Sequence, residues 1–132
     1  MNFNEYQQKS QKFATYPKLV IPATDLGTTG HSEVSVAWTY PCLGLAGEVG
    51  ELSEKFKKCL RDKDGKVSYE DKILIIKELG DVLWYIAAIA KELNVPLEEV
   101  AEVNIKKLTA RLEQNCIKGS GDTREEEIYN GN

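Results

Sequence analysis

The chain has 132 residues and a hydrophobic fraction of 42%, enough for one folded domain with its own core. Its formal net charge is −4, which argues against nucleic-acid polymers as partners, because binding a phosphate backbone needs a cationic face. A nucleotide is not excluded, since a divalent metal can bridge acids and phosphates.

Asn2 and Glu5 fit an N-cap and its capping-box partner for a first helix that ends near Tyr16, before Pro17. The polar start, MNFNEYQQKS, lacks the pattern of a signal peptide. Residues 17–36 carry Pro17, Pro22, Gly27 and Gly30 without a clear period, so they read as a loop with a short extended piece at LVI. Such length suggests a segment that covers something. A second helix is expected from near Pro41 to about Leu60. RDKDGK (61–66) reads as a turn, and Ser68 with Asp71 opens a third helix that runs to Leu93. Asn94 and Pro96 mark the next break, and a fourth helix follows over roughly 97–115.

The fold class is therefore all-α, with little credible strand: a four-helix bundle-like protomer over 1–117 and a Gly-, Ser- and Glu-rich tail over 118–132, expected to be mobile without a ligand or partner. One small bundle can hardly bury apolar faces on several sides, so a homo-oligomer is expected. The apolar run 82–90 is too short to span a bilayer. Cys42, Cys59 and Cys116 are odd in number and lack CxxC spacing. They suit thiols in a reducing cytoplasm better than a disulfide framework or a zinc site.

An internal echo carries the chemistry. EVGEL (48–52) and ELGDV (78–82) follow one template, thirty positions apart. At about 100° per residue, Leu45, Val49, Leu52 and Phe56 form one apolar stripe, and Ile75, Leu79, Val82 and Ile86 form its counterpart. Glu48/Glu51 and Glu78/Asp81 then flank their stripes at the same angle, each pair about a turn apart. Solvated boundary residues are the ordinary fate of such acids. The third helix tips the balance, because VLWYIAAIA (82–90) is apolar all round, and acids at its mouth need a compensating cation. Lys57 and Lys58 could help; a divalent metal suits four carboxylates on two facing helices better. Hard oxygen ligands favour magnesium, manganese or calcium. A di-iron bundle would need Glu-x-x-His, and the chain has one His, His31, in the loop. DKDGK (62–66) lacks EF-hand spacing. Gly50 and Gly80 lie between the paired acids, and a mid-helix Gly costs about 0.5–1 kcal/mol, which close approach of another helix or room for hydrated metal would explain.

These residues resemble the all-α MazG-like nucleoside triphosphate pyrophosphohydrolases, which carry Glu-x-x-Glu, a spacer, then Glu-x-x-Asp. The likeness rests on GLAGEVGEL and KELGDVLWYIAAIA, and extends to EVAEVNIKKLTAR (99–111), GSGDTR (119–124) and the N-terminal NEYQQK and TYP. Many members place a further Glu where this chain has Gly47; Glu54 is the available extra acid, as a ligand or in support. The resemblance implies hydrolysis between the α- and β-phosphates, giving a (deoxy)nucleoside monophosphate and pyrophosphate. Magnesium, with manganese as a substitute, would be held by Glu48, Glu51, Glu78 and Asp81, and Glu51 or Glu48 would orient or deprotonate the water. Close relatives of the dUTPase, dCTPase or phosphoribosyl-ATP pyrophosphohydrolase kind share this logic, and a silent helical partner-binding oligomer is a different class that four intact acids argue against. The family forms dimers and tetramers.

Phosphates also want cations. Asn104, Lys107 and Arg111 share a face of the fourth helix; a solvated polar face is the usual role, but in the resembling family this stretch lies near the nucleotide. Lys57, Lys58 and Arg61 follow the first acid pair, and Lys118, Asp122 and Arg124 in the tail are further candidates. Trp84 and Tyr85 lie in the buried run and read as core. Trp38, at the loop edge, is the better platform for a base.

Overall fold

A computed structural model describes residues 1–18, 20–22 and 33–113. The chain divides into two compact units, Met1–Glu98 and Glu99–Asn132.

In the first unit, α1 spans Phe3–Ser10. Asn2 caps it as expected, its side chain accepting the Glu5 N–H at 2.8 Å. α1 gives way to a 3-10 turn over Gln11–Phe13, so the helical path stops short of Tyr16. Two short strands, β1 (Val20–Pro22) and β2 (Glu33–Ser35), pair antiparallel with Ile21 opposite Val34. The extended piece expected near LVI is present; its partner was not expected, because three-residue strands offer too few positions for an alternating pattern.

α2 runs over Thr39–Lys63, longer at both ends than expected. Pro41 sits in its first turn and is fully buried. Asp64, in the left-handed region at φ 51°, ends α2, and the Gly65 N–H reaches back to the Cys59 carbonyl at 3.0 Å. The turn is therefore Asp64–Gly65, and Arg61, Asp62 and Lys63 remain helical.

α3 spans Tyr69–Glu92. Its capping box is complete: the Asp71 N–H donates to Ser68 Oγ at 3.2 Å, and the Ser68 N–H donates to Asp71 Oδ2 at 2.9 Å. Asn94, at φ 58°, ends it, a conformation that Asn tolerates. α4 then covers Leu97–Glu113. Gln7 ties this corner to α1: its amide donates to the Val95 carbonyl at 3.1 Å and accepts the Leu97 N–H at 3.2 Å, satisfying backbone groups that helix ends leave open.

α2 and α3 form the main packed pair of the first unit. Ala87, Ala90 and Leu97 make a buried cluster, with Tyr6, Leu83 and Ile86 packed on it. The run 82–90 is buried or half-buried throughout, as expected. The stripes are only partly covered: Ile75 is buried, but Val49 and Phe56 are each 45% exposed and Leu79 is 47% exposed. Among the described residues no helix is long and apolar enough to cross a membrane.

Candidate active site

α2 presents Glu48, Glu51, Glu54 and Lys55, and α3 presents Glu78 and Asp81. One carboxylate oxygen from each of Glu48, Glu78 and Asp81 lies within 4.8 Å of the other two. Glu48 and Glu78 are half-buried and Asp81 is exposed, so the cluster has a covered floor and an open side. Carboxylates at this spacing repel by about 1 kcal/mol per pair even in water, and by more in a drier setting. The arrangement therefore favours a cation.

Glu48 registers the crowding. Burial first, then the charges of Glu51, Asp81 and Glu78, push its carboxyl above the ordinary value. Glu51 thus shares the electrostatic neighbourhood, although its oxygens are not among those that converge. Of the four expected ligands, three meet and the fourth stands one turn away on α2.

Lys55 was not anticipated. Its Nζ lies 2.9 Å from Glu78 Oε1, across the α2–α3 contact, with both side chains partly covered. The bond to Glu78 is the main cause that holds the Lys55 ammonium above its usual value, and Glu51 and Glu54 add to it. The signal was available: Lys55 follows Glu48 by seven residues, which returns it to within about 20° of the same helical angle. Lys57 and Lys58, proposed as compensating cations, instead pair with Glu54, Lys58 at 3.8 Å. Their reach along the helix surface is to a neighbour of their own turn. The Lys57 bond, then the charges of Lys57, Lys58 and Arg61, hold Glu54 below the ordinary value.

Trp84 donates its indole N–H to the Ser10 carbonyl at 3.0 Å and meets Tyr85 edge-on at 4.8 Å between ring centroids, a core role. The Tyr85 hydroxyl is pushed up by burial, then by the charges of Tyr40, Glu48 and Asp81. Tyr6 is raised by burial and by Asp81. Trp38 stands at the N-terminus of α2 and is 42% exposed.

The glycines divide differently from expectation. Among the described residues, a Cβ at Gly50, Gly80 or Gly47 would meet nothing within 4 Å, so close approach of another described helix does not explain Gly50 or Gly80. Both lie on exposed surface. The close approach is at Gly44, where a Cβ would overlap the Tyr85 ring.

Asn104, Lys107 and Arg111 are on α4 in the second unit, with Asn104 exposed and the other two half-buried. His31, Cys116, Lys118, Asp122 and Arg124 lie outside the described residues.

Comparison with known proteins adds two findings. The family profile described as the MazG nucleotide pyrophosphohydrolase domain matches residues 41–116, which includes every acid of the cluster. The Gene 37 protein of Mycobacterium phage L5 is 38% identical over 124 residues, covering 94% of this chain and 100% of that protein. No solved structure matches.

Proposed function

The chain belongs to the MazG nucleotide pyrophosphohydrolase family, and we propose that it uses magnesium to hydrolyse nucleoside triphosphates between the α- and β-phosphates, releasing a (deoxy)nucleoside monophosphate and pyrophosphate. The observation that carries this reading is the convergence of Glu48, Glu78 and Asp81 at the α2–α3 contact.

The donor set fits the metal. All three ligands are hard carboxylate oxygens, and the exposed side leaves room for the waters that magnesium keeps. Glu48, Glu78 and Asp81 would hold the ion, with Glu51 at their edge. When bound, it neutralises charge on the triphosphate and makes water a readier nucleophile.

The chain's own residues do the rest. Glu51, outside the convergent three, orients the attacking water and takes its proton. Lys57 and Lys58 offer cations to the phosphates, with Glu54 holding them in place. Asn104, Lys107 and Arg111 supply further polar contacts, joined by Lys118, Asp122 and Arg124. Trp38 stacks on the base. The protomer works as a homo-oligomer, which the exposure of Leu43 at 71% and Ile76 at 65% supports. Light scattering that returns the mass of a single chain would remove that part of the reading.

The test is to incubate the protein with magnesium and a panel of ribo-, deoxy- and modified nucleoside triphosphates, and to identify the products. Monophosphate and pyrophosphate are expected from at least one member. Glu51→Gln and Asp81→Asn are expected to lower kcat by about a hundredfold or more while the chain stays helical. Silence across the panel, release of inorganic phosphate with a diphosphate, or full activity in either variant would contradict the assignment.

A further inference from the structure

Lys55 is a cation placed where the proposed function needs a metal. It reaches across from α2 to Glu78, at 2.9 Å, and Glu78 is one of the three carboxylates that converge. Glu51 and Glu54 act on the same ammonium, so its charge is offset by three acids. The Lys55 side chain is 29% exposed and that of Glu78 is 13% exposed, so the pair is neither sealed in the core nor free in solvent.

We propose that Lys55 is an internal counter-ion of the metal cage: it holds Glu78 in the metal-free protein and competes with the divalent ion for that carboxylate. The inference rests on the reading of Glu48, Glu78 and Asp81 as metal ligands. Without any cation the cage is a cluster of like charges, and Lys55 relieves part of that repulsion. Lysine suits a contact that must be given up. Its ammonium is a compact, strongly hydrated point charge on a flexible stem, without the fork that lets arginine grip a carboxylate in two places. A partly exposed ion pair holds weakly, and a divalent ion met by several carboxylates outcompetes it. The cage is then stable when empty, at the cost of some metal affinity.

The test uses the full chain, free of nucleotide. Magnesium chloride is titrated into wild type, Lys55→Met and Lys55→Arg by calorimetry, and Tm is recorded in EDTA and in magnesium. Lys55→Met is expected to melt earlier than wild type in EDTA. It is also expected to bind magnesium on the order of five-fold more tightly, the effect of removing one unit charge close to the ion. Its gap between the two Tm values therefore widens. Lys55→Arg, which keeps the charge and can grip Glu78 with its fork, is expected to bind magnesium no more tightly than wild type. If Lys55→Met does not fold, Lys55→Gln removes the same charge and carries the test. An ordinary brace between two helices would lower both Tm values alike and leave the magnesium constant unchanged; that result, or weaker binding, overturns the inference while leaving the metal site intact. A wild-type protein that does not respond to magnesium overturns the metal site and the inference together.

Discussion

At Gly44 the backbone of α2 lies bare against the ring of Tyr85, the residue whose hydroxyl feels the charges of Glu48 and Asp81. A side chain there must push the ring or the helix aside. Gly44→Val is expected to cost about 1–3 kcal/mol in urea unfolding, the usual penalty of overpacking. Gly50→Ala and Gly80→Ala meet open space and should stabilise by about 0.5–1 kcal/mol. A loss at either of those positions would contradict the open space around them. The symmetry of EVGEL and ELGDV suggested that their central glycines share a purpose, yet the glycine with a steric reason lies outside the motif. Its partner is on another helix, and nothing in the spacing of α2 points to Tyr85. Lys55 is a different case. Its angle relative to Glu48 is legible in the sequence, whereas Lys57 and Lys58 meet Glu54, a neighbour three or four residues back along α2.

The elements were most legible where their determinants are local. Ser68 and Asp71 lie three residues apart, and the capping box they build could be read from that spacing. Asp71 also meets Lys63 across the turn, at 2.6 Å. The Lys63 contact first, then the Ser68 bonds, hold the Asp71 carboxyl at about 2, below its ordinary value of 3.8. The folded state therefore binds its proton less readily than the unfolded chain does. The stabilisation is complete above about 3.8 and is lost as pH falls towards about 2. Asp71→Asn should flatten that part of the stability-versus-pH curve, measured by denaturant unfolding at closely spaced pH values; an unchanged slope would show that the contact does not form in solution. The β1–β2 pairing and the Gln7 clamp depend on residues distant in sequence, and no local pattern announced either.

For the molecule as a whole, the helical class, the helix order and the position of the acids were readable, because periodicity and caps set them. The degree of burial was not. Stripes drawn from a helical wheel say which residues share a face, but not whether one chain has enough surface to cover it. Val49, Phe56 and Leu79 remain nearly half exposed for that reason. The meeting of Glu48 with Glu78 and Asp81 joins the two motifs into one site, and the claim that this site holds a divalent ion underlies the proposed activity. Electron paramagnetic resonance of free manganese measures it most directly, since the ion is counted without any need for substrate. Wild type should remove manganese from solution, and Glu48→Gln and Asp81→Asn should each weaken that binding by at least about tenfold. Equal manganese binding by wild type and both variants would contradict the account.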